Sequence, residues 1–209
     1  MQRIPVIQRP DLAAAAAEHG FEFESVGGMK GWNETAYYQF TPQQIDDDIA
    51  GPAEELEGLC FQVVERAVND DAVMGRLGIP EPFWKYIADS WRNGERNLAG
   101  RMDLSYAGDG PAKLLEYNAD TPTALYETAV FQWEWLERAI ELGLAPEDCD
   151  QFNEVHEAIV QAFPQLGIDG AAHFACNHDI EDDKGTLDYL AECAGEAGLE
   201  AKSLAMADI

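Results

Sequence analysis

A turn signal in the middle of the chain places the strongest constraint on the fold. The residues Ala107-Gly108-Asp109-Gly110 separate two short runs, 100–106 and 112–118, which mix polar and apolar side chains. Two such runs around a turn rich in Gly and Asp predict a β-hairpin. A four-residue turn would place Arg101 opposite Glu116. With a turn of odd length, the polar residues of the two strands would no longer share one face of the hairpin.

The predicted hairpin has one polar and one apolar face, because side chains alternate across a strand. The polar face carries Arg101, Asp103, Glu116 and Asn118. The apolar face, a candidate core face, carries Met102, Leu104, Tyr106, Leu115 and Tyr117.

The polar face holds groups that suit phosphate chemistry. Carboxylate and amide oxygens are hard ligands that favour Mg²⁺, and the planar arginine fork fits phosphate oxygens. Together they predict a Mg²⁺–phosphate site of the kind that supports phosphoryl transfer. A second interpretation stays open on the residues alone: a solvated face with an Arg101–Glu116 ion pair across the strands.

Helical periodicity covers much of the remaining chain. Thr41-Pro42 predicts a helix start, and apolar spacing continues the helix to about residue 68, with a kink or break at Gly51-Pro52. Further helices are predicted over residues 82–97, 124–142 and 145–162. The first of these carries an apolar stripe of Phe83, Ile87 and Trp91, which predicts a core contact.

The end of the chain has the pattern strand–helix–strand. Strands are predicted over residues 171–176 and 201–205, with a helix over 186–197 between them. That order is an α/β signature, so the fold class is predicted to be mixed α/β. We predict two domains: residues 1–167, and a small βαβ subdomain over residues 168–209.

Composition narrows the possible partners. The formal charge of −27 argues against nucleic acid, because phosphate backbones would be repelled. The scattered acids favour a salt-adapted surface, and acidic patches that attract a polyamine or Mg²⁺ are the alternative.

No apolar run approaches the roughly 20 residues of a membrane span, and the start lacks an export signal, so we predict a cytoplasmic protein. The four cysteines form no CxxC pair and are predicted to be buried or half-buried free thiols.

Several motifs resemble those of one enzyme family. The runs 100–104 and 113–123, which read GRMDL and KLLEYNADTPT, are similar to the central motif of the glutathionylspermidine synthase family. Trp32-Asn33-Glu34, Ser90-Trp91 and residues 132–135 fit the same pattern in the same order. The similarity runs from about Trp32 to the last residue.

The resemblance implies an ATP-grasp enzyme with a pre-ATP-grasp-like βαβ part. In the family, ATP phosphorylates the glycine carboxylate of glutathione, and a polyamine amine attacks the acyl phosphate to form an amide. The resemblance implies that Asp103, Glu116 and Asn118 hold Mg²⁺ and that Arg101 steadies the transferring phosphoryl group of ATP. It also implies that Thr121 and Thr123 line the substrate side.

The resemblance carries an expectation about completeness as well. Family members continue beyond residue 209, where the lysines and acids that grip ATP would follow, so we expect the chain to be inactive alone. A second hypothesis is an acidic module that binds polyamines or divalent cations without catalysis. A third is an inert fragment.

Overall fold

The computed structural model describes residues 1–21, 25–26, 29–120, 123–177 and 181–209. The chain is mixed α/β, which confirms the predicted fold class. It divides into two compact units: the first comprises Met1 with residues 40–97 and 102–117, and the second comprises residues 2–39, 98–101 and 118–209. The predicted domain boundary near residue 168 stays a prediction.

The elements follow one another in this order along the described residues. They are β1 (Gln2–Pro5), α1 (Leu12–Glu18), β2 (Ser25–Val26), β3 (Met29–Lys30), β4 (Ala36–Gln39), a first π-helical turn (Gln44–Ala50), α2 (Gly51–Val68), α3 (Asp71–Arg76), α4 (Glu81–Asn93), β5 (Arg101–Ser105), β6 (Lys113–Asn118), a second π-helical turn (Glu127–Phe131), α5 (Gln132–Glu141), α6 (Val155–Ala162), a 3₁₀ turn (Phe163–Leu166), β7 (Ala171–Cys176), α7 (Glu181–Glu196), β8 (Glu200–Ala205) and a 3₁₀ turn (Met206–Asp208).

The long helical segment of the first unit begins where the sequence predicts. The Thr41 hydroxyl accepts a hydrogen bond from the Gln44 N–H at 3.2 Å, and the Thr41 N–H donates to the Gln44 side-chain oxygen at 3.1 Å. These two bonds form a capping box, which satisfies backbone donors that the first helical turn leaves without partners. The predicted helix start is therefore confirmed.

The Gly51-Pro52 step changes the helix type instead of splitting the helix. The π-helical turn ends at Ala50, and α2 begins at Gly51 with Pro52 in its first turn. Since Pro52 has no N–H, the Asp48 carbonyl lacks its usual donor four residues on. The Ala112 N–H, which precedes β6, donates to that carbonyl at 2.7 Å. The proline therefore provides an attachment point for the hairpin.

The core of the first unit lies among α2, α3 and α4. Its buried members are Ala67, Val68, Val73, Met74 and Ala88. Ile87 and Trp91 pack against this cluster as predicted, but Phe83 is 55% exposed, so the predicted stripe is wrong at that position. Helix α4 ends earlier than predicted, because Gly94 adopts a left-handed conformation with φ 65°.

The second unit contains a small antiparallel sheet and an aromatic cluster. Strand β1 pairs with β4 from Gln2↔Gln39 to Pro5↔Ala36, and β2 pairs with β3. Phe21 and Phe131 are almost fully buried, and their ring centroids lie 4.1 Å apart. These rings bury the apolar face of α1.

The C-terminal part of the second unit is a parallel βαβ unit, as predicted. Strands β7 and β8 pair in parallel from Ala171↔Glu200 to Cys176↔Ala205, and α7 connects them. All four cysteines are free, two buried and two half-buried, which confirms the predicted thiols.

One predicted helix is too long at its start. Residues 145–154 are not helical, and α6 begins only at Val155. Gly143 takes a left-handed conformation with φ 68°, and the N–H groups of Leu144 and Ala145 both donate to the Ala139 carbonyl. Ala145 thus closes α5 instead of starting a helix, because a C-terminal cap competes for its backbone.

Within the described part of the chain, no helix combines the length and the apolar character that a bilayer span requires.

Candidate anion-binding cavity and polar hairpin

The predicted hairpin forms, with a longer connection than the sequence indicated. Strands β5 and β6 are neighbours in a two-stranded sheet. The connection runs from Tyr106 to Ala112, beyond the predicted four-residue turn. The Gln44 side-chain amide donates to the Gly108 carbonyl at 2.9 Å and ties this connection to the helical segment. A connection of this length does not fix the register in the way a tight turn does.

Two tyrosines connect the hairpin to the helical segment of the first unit. Tyr106 donates a hydrogen bond to Asp48, and Tyr117 donates to Glu57 at 3.2 Å, so both rings reach the same helical segment. Burial raises the pKa of Tyr106 to about 12, with a further contribution from Asp48. Leu115 is 70% exposed, so the predicted apolar face is wrong at that residue.

The polar side of the hairpin follows from strand alternation. Since Tyr106 and Tyr117 both reach the helical segment, strand alternation predicts that Asp103 and Glu116 lie on the side that faces away from it. Asp103 is half-buried in β5, and Glu116 is exposed in β6. Asn118 is half-buried at the end of β6 and belongs to the second unit, as does Arg101.

The metal site itself stays a prediction. Among the residues that the structure describes, no group of three or more His, Cys, Asp or Glu side chains is placed to hold a metal ion. The predicted set has two carboxylates and one amide, a donor set of oxygens that Mg²⁺ accepts.

Arg101 and Thr123 lie together in the second unit. The Arg101 Nη1 donates to the Thr123 carbonyl and to the Thr123 hydroxyl, each at 3.2 Å. Two acceptors from one residue orient the planar guanidinium. Thr121, the other predicted substrate residue, lies outside the described residues.

A cavity of about 290 Å³ opens beside this pair, also within the second unit. Its described walls are Leu98, Ala99, Gly100, Arg101, Thr123, Ala124, Leu125, Thr128, Val155, Ala158 and Ile159. Of these described lining residues, Arg101 carries the formal charge, and most of the others are apolar. The cavity is therefore suited to a small ligand with an anionic group and an apolar body.

Ala124 gives the cavity wall an unusual backbone. Its φ of 68° lies in the left-handed region, which costs a residue with a Cβ about 1–2 kcal/mol. The Ala124 carbonyl accepts from the Thr128 hydroxyl at 2.7 Å and from the Thr128 N–H at 3.3 Å. These bonds hold the left-handed turn at the point where Thr123 meets Arg101. Sequence reasoning did not find Ala124, because an alanine gives no sign of positive φ.

Glu34, from the Trp32-Asn33-Glu34 motif, forms a buried ion pair that the sequence did not reveal. The Arg9 Nε and Glu34 Oε1 lie 2.9 Å apart, with side-chain exposures of 3% and 1%. Glu34 also accepts from the Trp32 indole N–H at 2.9 Å, and the Arg9 guanidinium lies 5.1 Å from the centroid of the Phe131 ring. Trp32 and Glu34 of this motif therefore form buried contacts within the second unit.

The fold and the cavity define a class: a mixed α/β protein with an arginine presented to a small, mostly apolar pocket. The family model described as "Glutathionylspermidine synthase preATP-grasp" matches residues 3–209. The chain therefore belongs to this family, as the motif resemblance predicted.

Named relatives agree with the family. The chain is 36% identical over 208 residues to the putative acid–amine ligase of Haemophilus influenzae, covering 96% of this chain and 51% of that protein. It is 28% identical over 156 residues to the trypanothione synthetase of Crithidia fasciculata, covering 74% of this chain and 23% of that protein. It is 22% identical over 174 residues to the bifunctional glutathionylspermidine synthetase/amidase of Escherichia coli, covering 82% of this chain and 27% of that protein.

These relatives are named as a putative acid–amine ligase or as synthetases. The chain spans about half the length of the Haemophilus relative and about a quarter of the other two.

Proposed function

We propose that this chain is part of an ATP- and Mg²⁺-dependent carboxylate–amine ligase, which forms an amide through an acyl phosphate. The observation that carries the proposal is the family match over residues 3–209, within which Arg101 and Thr123 meet at a cavity. An arginine oriented beside a pocket suits a reaction that passes from a carboxylate anion to an acyl phosphate.

Asp103, Glu116 and Asn118 would hold the Mg²⁺ ion. The set offers two carboxylates and one amide oxygen, and Mg²⁺ commonly binds through one or two carboxylates together with substrate phosphates. When bound, Mg²⁺ supplies charge neutralisation to the phosphate oxygens of ATP. The supporting observation is that β5 and β6 are neighbouring strands, so Asp103 and Glu116 come from adjacent backbones.

Arg101 would hold the anionic groups of the reaction. Its contacts with Thr123 restrict the guanidinium to one orientation before substrate arrives, which lowers the entropy lost on binding. A planar fork of donors matches both a carboxylate and a phosphoryl group. We assign Thr123 to the orientation of Arg101 and, with Thr121, to the substrate side.

The substrates we propose are a peptide carboxylate, such as glutathione, and a polyamine amine. The relatives' names include glutathionylspermidine synthetase and trypanothione synthetase. The acidic chain, with its charge of −27, would attract a cationic amine and repel nucleic acid. The proposal places the enzyme in the cytoplasm, without a membrane or nucleic-acid partner.

The test is Mg²⁺-dependent ATP turnover by the full-length protein and by its Asp103→Asn and Glu116→Gln variants. We expect turnover to fall at least about a hundredfold in each variant, because metal clamps contribute several kcal/mol to transition-state stabilisation. Asp109→Asn is the matched control, since Asp109 is an exposed acid in the hairpin connection. Calorimetric titration with Mg²⁺ alone provides a readout independent of activity. Unchanged turnover and Mg²⁺ affinity in both variants would contradict the metal assignment.

The charge of −27 also favours a second candidate: an acidic module that binds polyamines or divalent cations without catalysis. Calorimetry with spermidine at increasing salt separates it from the ligase. Binding that keeps its stoichiometry at high salt, together with absent ATP turnover in the full-length protein, would favour the module. Binding that disappears at moderate salt indicates only diffuse attraction.

A further inference from the structure

We propose that Thr128 is a positioning residue of the ligase: its hydroxyl holds the backbone turn that keeps Thr123 at the cavity wall. The proposal rests on the proposed function, because it takes the wall that carries Thr123 to be the substrate side. Thr128 lies beyond the motif over residues 113–123, and the sequence predicted no role for it.

The turn at Ala124 is strained. Its φ of 68° is left-handed, and it directly precedes a helical run that starts at Leu125. An alanine neither avoids the left-handed penalty, as glycine would, nor offers the side-chain oxygen that caps a helix start. Strained backbone of this kind persists only where neighbouring contacts hold it, and it is concentrated at functional sites. Because Ala124 lines the cavity, the strain points to a role of this turn in the site.

The Thr128 side chain holds the turn from the helix side. Its hydroxyl donates to the Ala124 carbonyl at 2.7 Å, whereas the Thr128 N–H reaches the same carbonyl only at 3.3 Å. A threonine hydroxyl that bonds the carbonyl four residues earlier competes with the regular helical bond and bends the backbone. The hydroxyl bond is therefore the shorter of the two described bonds that restrain Ala124.

Thr128 is also attached to the opposite wall of the cavity. The Asn153 side-chain amide donates to the Thr128 carbonyl at 3.2 Å. Asn153 precedes α6, which contributes Val155, Ala158 and Ile159 to the walls. Thr128 therefore links the stretch 123–125 to the start of α6, within the second unit.

The consequence falls on Thr123. Its carbonyl belongs to the planar peptide that ends at the Ala124 nitrogen, so rotation about the Ala124 φ turns that carbonyl. The same carbonyl and the Thr123 hydroxyl accept from Arg101 Nη1, each at 3.2 Å. Loss of the turn would thus displace Thr123 itself, independently of the other contacts that Arg101 makes.

The experiment compares three variants of the full-length protein. Thr128→Val replaces the hydroxyl with a methyl group of similar shape, and Thr128→Ser keeps the hydroxyl. Thr35→Val is the matched control, because Thr35 is also exposed and its hydroxyl donates at 2.8 Å to Asn33, away from the cavity lining. Mg²⁺-dependent ATP turnover is measured with glutathione and spermidine as the probes, well below the melting temperature of every variant.

Thr128→Val should lower kcat/KM for glutathione at least about tenfold, because a displacement of about 1 Å at a positioning group can cost a hundredfold. Thr128→Ser and Thr35→Val should stay within about threefold of the unmodified protein. A role confined to folding would lower the melting temperature of Thr128→Val and leave its turnover intact at the lower assay temperature.

Crystal structures of the full-length Thr128 variants provide a readout that needs no turnover. In Thr128→Val we expect the Thr123 carbonyl to move out of hydrogen-bond reach of Arg101 Nη1, beyond about 3.5 Å. In Thr128→Ser the Ala124 φ should stay near 68° and the contact near 3.2 Å.

The outcomes separate this proposal from the ligase function. Full turnover in Thr128→Val, a Thr128→Ser variant as impaired as Thr128→Val, or an unmoved Thr123 carbonyl would overturn the role of Thr128 and leave the ligase in place. Absence of turnover in the unmodified full-length protein would count against the ligase with these substrates. The crystal structures would then still decide whether the Thr128 hydroxyl holds Thr123.

Discussion

Removing the charge of Glu34 should destabilise the second unit strongly. Glu34 and Arg9 form an ion pair with side-chain exposures of 1% and 3%. In Glu34→Gln the amide oxygen can still accept from the Trp32 indole, which lies 2.9 Å from Glu34 in the native protein. The substitution therefore removes the negative charge and leaves the shape and one hydrogen bond in place.

The magnitude follows from the burial of Arg9. Breaking a buried pair leaves an uncompensated charge and costs about 3–5 kcal/mol. The Arg9 Nη2 and Glu34 Oε2 have no hydrogen-bond partner among the described residues, so nothing described compensates for the lost charge. The contact between Arg9 and the Phe131 ring is present in both proteins and therefore does not reduce this loss. We expect a net loss of about 3 kcal/mol.

The assay is urea unfolding of the 209-residue chain, followed by tryptophan fluorescence. Urea unfolding gives the loss of about 3 kcal/mol directly, and in a separate thermal unfolding experiment the same loss would lower the melting temperature by about 6–12 °C for a chain of this size. Glu141→Gln is the control, because Glu141 pairs with Arg138 at 2.8 Å but is 66% exposed, and such pairs contribute about 1 kcal/mol or less.

A double-mutant cycle refines the test. Arg9→Met alone leaves Glu34 buried without its cation, whereas Arg9→Met with Glu34→Gln removes both charges. We expect the double variant to be more stable than the sum of the single losses predicts, with a coupling of at least about 2 kcal/mol. A loss under about 1 kcal/mol for Glu34→Gln, or a coupling near zero, would refute the reasoning.

Two further predictions concern the hairpin and the cavity wall. Asp48→Asn should lower the pKa of Tyr106 from about 12 without restoring its ordinary value of 10.0, since burial is the larger cause, and phenolate absorbance measures it. Because the pKa of Tyr106 is raised in the folded protein, the stability contributed by its neutral phenol is complete below pH 10 and is lost as the pH rises through about 12. Unfolding measured at increasing pH follows this loss. Ala124→Gly should change stability by less than about 1 kcal/mol, because relief of the left-handed strain offsets the entropy that glycine adds to the unfolded chain. Ala124→Val should cost about 2 kcal/mol or more in thermal unfolding, and equal stabilities of these two variants would contradict the assigned strain.

Local signals in the sequence predicted those elements that depend on interactions between residues close together in the chain. The capping residues Thr41 and Gln44 predicted a helix start, and the glycine-rich turn at 107–110 predicted a hairpin, because both depend on backbone preferences within a few residues. The alternation of strand, helix and strand predicted the parallel βαβ unit for the same reason. The family also followed from contiguous motifs.

Longer-range features required the tertiary structure. A kink or break was predicted at Gly51-Pro52, but the structure has a change of helix type there, and Ala112, distant in sequence, donates to the Asp48 carbonyl that Pro52 cannot reach with an N–H. The ion pair of Arg9 with Glu34 joins residues that no periodicity relates.

By itself, the sequence determined the local elements, the acidic charge and the chemical groups offered to a ligand. The tertiary structure decided which of those groups meet: Arg101 with Thr123, beside walls drawn from three separate stretches of the chain. The physical reason is that backbone preferences act over a few residues, whereas burial and charge pairing act between side chains that only the completed fold brings into contact.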